Sequence, residues 1–231
     1  MIKKIIPLSF FLLCSQIFAQ SLPVGRYSDA ALSNGYKSGV AFSFSGEVPI
    51  DGGAPITIML RSEAKPGVLT RFRGKNFLKV VQTSTLTLGQ DETTFQDISY
   101  IDPVSLNEVY TVNSDGDETG SLEYNQEHPE RMQVGDTIAF KTETRVSDKD
   151  PATVISYTDS SLSLMPLEGK KGLFEFCNNN AIYKAEDDFK AIQESYNFCM
   201  ILDKDGNKMG AFLDITAGGI NARLSGNIER K

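Results

Sequence analysis

Two cysteines are the residues whose type and spacing most plainly do chemistry. Cys177 ends the apolar run Leu173-Phe174-Glu175-Phe176-Cys177, and Cys199 lies within Phe198-Cys199-Met200-Ile201-Leu202. A metal site would need further sulfur or imidazole ligands beside them; the chain has three cysteines and one histidine, and neither Cys14 nor His128 is near in sequence. In an oxidising compartment the two are expected to join as a disulfide. Closing a loop of roughly 20 residues stabilises a fold by about 3 kcal/mol when reckoned as lost chain entropy. The bond also restricts topology. It holds the two Cα atoms within about 7 Å, whereas a parallel crossover would separate them by on the order of 13 Å along the strands. The strands that carry Cys177 and Cys199 are therefore expected to run antiparallel.

Charged side chains offer two further chemistries. Arg71, Arg73 and Lys75 lie in a basic stretch with six Lys and Arg residues from Arg61 to Lys79 against Glu63 alone. Eleven acids and no Lys or Arg follow from Val80 to Glu130. A strip of this kind suits an anionic partner such as lipopolysaccharide or an acidic glycan. The same pattern arises when outward positions of neighbouring strands pair weakly across a fold. The stretches 113–118 (Asn-Ser-Asp-Gly-Asp-Glu) and 203–207 (Asp-Lys-Asp-Gly-Asn) alternate oxygen-bearing side chains, as a calcium loop does. Glycine stands fourth and not sixth, with no glutamate at the twelfth place, and tight hairpins use the same residues.

Nucleophilic chemistry has little to build on. His128 stands in Glu127-His128-Pro129-Glu130 with no associated motif, and no Gly-x-Ser-x-Gly elbow occurs. Ser62-Glu63-Ala64-Lys65 matches Ser-x-x-Lys, but Pro66-Gly67 follows where that motif requires a helix. A carboxylate pair for glycoside hydrolysis needs only two acids facing across a cleft, and with 30 acids nothing singles out a pair. No cofactor or metal motif is present.

The elements that would position these residues are mostly strands. Val40, Phe42 and Phe44 alternate with Ala41, Ser43 and Ser45, and short runs of the same kind follow between Gly, Pro and Asp turns as far as Met165. Ile220, Ala222, Leu224 and Ile228 alternate again at the end of the chain. Such spacing predicts a mainly β protein, an antiparallel sandwich or barrel. The outward positions are too polar for a transmembrane barrel. Ile182, Ala185, Phe189, Ile192 and Tyr196 recur at helical spacing with Asn180 as N-cap, which predicts one amphipathic helix over about 181–196. Pro166–Gly172 is a sub-boundary within a single domain over 20–231, with 173–231 a small α+β tail.

The chain opens with Lys3 and Lys4, an apolar Ile5–Leu13 and a cleavage-like segment ending at Ala19. The pattern predicts a signal peptide over 1–19, since a membrane span needs about 20 apolar residues. No later segment is apolar enough to span. The protein is expected in the periplasm or secreted. A net charge of −7 over the whole chain, more acidic once Lys3 and Lys4 are removed, argues against nucleic acid as a partner. The function expected is an exported, non-catalytic β-protein that binds an envelope protein, a glycan or a small ligand. The alternative is a polysaccharide- or peptidoglycan-directed hydrolase using an unplaced carboxylate pair.

Overall fold

Alternation of side chains with a period of two puts one set of residues on each face of a strand, and here nearly every segment follows it. A computed structural model describes residues 20–27, 39–49, 53–105 and 107–230. The signal peptide expected over 1–19 lies outside the described residues. In chain order the strands are β1 (Ser21–Pro23), β2 (Val40–Val48), β3 (Ile56–Ala64), β4 (Val68–Phe72), β5 (Lys75–Leu88), β6 (Asp91–Ile101), β7 (Glu108–Val112) and β8 (Glu118–Tyr124). They continue as β9 (Arg131–Gln133), β10 (Thr137–Val146), β11 (Val154–Pro166), β12 (Leu173–Lys184), β13 (Glu194–Asp203), β14 (Lys208–Ala217) and β15 (Ile220–Arg230).

The architecture is a closed antiparallel barrel of twelve strands, in the order β2-β3-β5-β6-β7-β8-β10-β11-β12-β13-β14-β15 and back to β2. Of the two arrangements the sequence admits, the barrel is the one formed. The ring closes where β15 pairs with β2 and where β3 pairs with the second half of β5. The first half of β5 pairs instead with β4, through a turn in which Arg73 and Gly74 both have positive φ (47° and 81°). That is the backbone a two-residue hairpin needs. Closure at β15–β2 depends on glycine. A Cβ on Gly226 would lie 2.1 Å from the Ser43 carbonyl oxygen and 2.4 Å from Phe44 Cδ1. The thinnest seam is β7–β8, held by the single register pair Val112↔Glu118.

One mouth is plugged. β1 and β9 form a separate two-stranded sheet, and Leu22, Val24 and Met132 are buried with Phe140, Leu162, Leu164, Phe174, Phe176, Met200 and Leu202. Tyr27 ties the plug down by donating its hydroxyl to the Gly206 carbonyl at 2.9 Å. Many of the outward positions that alternate with these are polar: Ser43, Arg61, Glu63, Thr83, Gln96, Ser161, Asn179, Asn197 and Asp214 face away from the lumen, on the same face as the apolar Ile98, Ile201 and Phe212. A lipid-facing barrel carries an apolar band at those positions. The described residues hold no helix long and apolar enough to cross a membrane.

The helix expected over 181–196 does not form. β12 runs on through Ala181 and Ile182, which pair with Ser195 and Glu194 of β13, and only a 3-10 turn at Ala185–Asp187 remains of the helical pattern. Positive φ at Asp188 and Phe189 (48° and 57°) reverses the chain there. Asn180, the expected N-cap, is a strand residue: it accepts from Ser160 Oγ at 2.7 Å and donates to the Tyr196 carbonyl at 3.1 Å. Cross-strand pairing and burial override the local period, as tertiary context commonly does. Residues 173–231 therefore supply four strands of the barrel, and the segment expected as a sub-boundary is the turn between β11 and β12.

Candidate functional site

A barrel of eight strands is nearly filled by its own side chains, while one of sixteen leaves an aqueous channel. Twelve strands fall between these, and the lumen keeps a cavity of about 560 Å³. Six of the residues lining it are apolar: Phe42 and Phe44 from β2, Leu60 from β3, Phe95 from β6, Phe198 from β13 and Leu213 from β14. Phe198 meets Phe42 and Phe44 edge-on, with ring centroids 6.3 and 5.8 Å apart. The other lining residues are Ser62, Gln82, Ser84, Asp97, Asn178 and Tyr196. Each of the twelve lies on the inward parity of its strand, so the site is made by the closure of the sheet and not by a loop.

The polar lining is unevenly satisfied. Ser62 and Ser84, partners in the β3–β5 register, share a hydrogen bond of 2.8 Å between their hydroxyls. Tyr196 donates to Glu194 Oε2 at 3.2 Å, and burial with the Glu194 charge pushes its phenol up to about 12. Glu194 is in turn paired with Lys184. Asn178 Oδ1 is buried and has no hydrogen-bond partner. Burial also holds the Asp97 carboxyl above its ordinary range, against the pull of Arg145.

A charged layer adjoins this lining. Arg145 Nη2 donates to Glu143 Oε1 at 3.0 Å, and Thr119 Oγ1 donates to the same carboxylate at 3.3 Å. Burial raises the Glu143 pKa more than Arg145 lowers it. Arg145 Nη1 is a second buried polar atom without a partner. Ser99 donates to Glu108 Oε2 at 2.8 Å, and the Glu108 charge raises both Asp97 and Glu143 further. Thr119 also stitches the thin β7–β8 seam, because its Oγ1 accepts the Thr111 N–H at 2.9 Å.

The residues singled out from sequence are placed elsewhere. Cys177 and Cys199 are bonded and directly paired across β12 and β13, with Cα atoms 4.1 Å apart, on the outward parity under Phe212. The antiparallel direction follows as expected. Arg71, Arg73 and Lys75 do not converge on one face. Arg71 and Lys75 lie on opposite parities of the β4–β5 hairpin, while Arg73 rests over the rings of Tyr110 (4.3 Å) and Phe72 (5.1 Å) and reaches Glu118 at 3.8 Å. The two acidic turns share one construction. Asn113 Oδ1 accepts the N–H groups of Asp115 and Asp117, and Asp203 Oδ1 those of Asp205 and Asn207, all at 2.8–3.0 Å. In each loop the first residue's oxygen is thus engaged by the loop's own backbone. Among the described residues no group of three His, Cys, Asp or Glu side chains is placed to hold a metal. His128 packs edge-on against Phe140 and Phe176 in the plug.

A second depression of about 550 Å³ lies on the outer face of β11–β13, bordered by small polar residues such as Ser161, Asn179 and Asn197. Two of its amides are already used: Asn179 Nδ2 donates to Ser163 Oγ at 3.0 Å, and Asn180 Nδ2 to the Tyr196 carbonyl at 3.1 Å. The lumen differs in having unpaired polar capacity together with aromatic side chains. No family model, curated protein or solved structure matches the chain.

Proposed function

We propose that this protein is an exported, non-catalytic binding protein that carries a small amphipathic ligand inside its barrel. The observation that carries the reading is the lumen cavity of about 560 Å³, lined by Phe42, Phe44, Leu60, Phe95, Phe198 and Leu213 together with polar residues that include Asp97 and Asn178. Sites for small organic molecules have this size and this composition: mainly apolar walls with a few placed polar groups. Export is supported by the basic-apolar pattern of residues 1–19 and by the Cys177–Cys199 bond. A periplasmic or secreted carrier fits both.

The alternative, a carboxylate-pair hydrolase, draws support from Asp97 and Glu143, two acids with raised pKa around Arg145. A polymer substrate needs a cleft open along its length, and these acids stand inside a closed barrel. A small ligand suits the site better than a polysaccharide.

The test is binding of an environment-sensitive, uncharged apolar dye, N-phenyl-1-naphthylamine, to the wild type and to variants that fill the lumen. Leu213→Trp and Leu60→Trp are expected to abolish stoichiometric dye binding while keeping the β-sheet circular dichroism. Equal binding by wild type and both folded variants would place the dye, and the function, outside the lumen.

A further inference from the structure

The chemistry of the cavity wall selects a class of ligand. Resting on the reading of the lumen as a binding site, we infer that its ligand is an organic cation: an amine or quaternary ammonium group on an apolar body.

Three observations carry this. The first is the charge of the lining. Asp97 is the one ionisable carboxylate among the lining residues, and none of them is Lys or Arg. Arg145, whose charge acts on Asp97, is hydrogen-bonded to Glu143. An anionic head group would bring a second negative charge against Asp97, and Arg145 is outside the lining and already paired with Glu143 through Nη2.

The second is the open hydrogen-bonding capacity. The Ser62 and Ser84 hydroxyls bond each other, whereas Asn178 Oδ1 has no partner. A buried acceptor without a donor costs free energy until something donates to it. An ammonium group is donor-only and suits a cavity lined by an amide oxygen and a carboxylate.

The third is the aromatic content. Phe42, Phe44, Phe95, Tyr196 and Phe198 all line the cavity. Ring faces attract cations within about 6 Å, more strongly where water is excluded, and cages of several rings are the usual receptors for ammonium ligands. Leu60 and Leu213 complete the surface for the apolar body. Burial raises the Asp97 pKa, so a bound cation would restore the charge that desolvation penalises.

One skeleton carrying three charges tests the inference: 4-phenylbutylamine, 4-phenylbutanol and 4-phenylbutyrate, titrated into the protein by calorimetry at neutral pH. The amine should bind at least about tenfold tighter than the alcohol, with the butyrate weakest. Asp97→Asn should remove the preference for the amine over the alcohol. Equal binding of amine and alcohol by the wild type, or tightest binding of the butyrate, would overturn the cation assignment and leave the lumen reading intact. No binding of any probe, together with dye binding indifferent to Leu213→Trp, would overturn the lumen reading itself. The wild-type series decides the question without any variant having to fold.

Discussion

Cys177 and Cys199 face each other across the β12–β13 ladder, 4.1 Å between Cα atoms, in a sheet position that points away from the lumen. Their sulfurs are covered by Phe212, and the guanidinium of Arg223 lies 4.0 Å above the Phe212 ring. The bond therefore braces the barrel wall from outside without entering the cavity. A Cys177→Ala/Cys199→Ala variant should lose about 3 kcal/mol of stability in urea unfolding and keep its affinity for lumen probes. A loss of probe binding in the folded double variant would mean that the bond shapes the cavity after all.

Gly226 and Gly74 make a contrasting pair. At Gly226 a methyl group would meet backbone 2.1 Å away, at the β15–β2 closure; at Gly74 nothing lies within 4 Å and only the φ of 81° opposes a side chain. Gly226→Ala should cost about 2–4 kcal/mol and Gly74→Ala about 1 kcal/mol, read as shifts in the urea midpoint. Equal costs would mean that the β15–β2 closure has room to relax.

The β7–β8 seam rests on the Thr119 hydroxyl. Thr119→Val keeps the shape and removes the acceptor for the buried Thr111 N–H, so it should cost about 1–3 kcal/mol. The amide of Thr111 should also exchange with deuterium markedly faster while those of β12 and β13 do not. Unchanged exchange at Thr111 would contradict this role.

Two lumen acids set a pH dependence. Asp97 and Glu143 have folded pKa values raised above the ordinary carboxylate range, chiefly by burial. Between the ordinary and the raised value the folded state holds more protons than the unfolded chain, so their contribution to stability falls as pH rises through that window. Asp102 and Asp203 are lowered, by backbone N–H groups at Asp102 and by Asn207 at Asp203, and act in the opposite sense below the ordinary range. Urea midpoints measured from pH 4 to 8 should therefore decline less steeply with rising pH in Asp97→Asn than in the wild type. An identical slope would show that Asp97 is solvated like a surface carboxylate.

Much of the barrel was legible because β2, β3 and β15 alternate cleanly and the turns carry their glycines. The cysteine argument gave the strand direction, since only an antiparallel pair brings Cys177 and Cys199 within bonding range. The helix was misread because Ile182, Ala185, Phe189, Ile192 and Tyr196 share a 3.6-residue period by coincidence. Ile182 and Tyr196 are strand residues, and Phe189 and Ile192 stay 39% and 57% exposed in the turn. The lumen site was hidden for a different reason. On β6 the inward set Phe95, Asp97 and Ser99 is no more apolar than the outward set Gln96, Ile98 and Tyr100, so alternation does not reveal which faces in. Asp97, Asn178 and Tyr196 become neighbours of one cavity only when β6 and β12–β13 are bent onto opposite sides of a closed sheet.

The most direct test of lumen binding is a methyl NMR titration of the protein with 4-phenylbutylamine and 4-phenylbutanol. The account predicts saturable shifts at the inward methyls of Leu60 and Leu213 for the bound probe, with the outward methyls of Ile98 and Ile201 unmoved. Shifts confined to Ile98, Ile201 or other outward residues, with Leu60 and Leu213 silent, would contradict it.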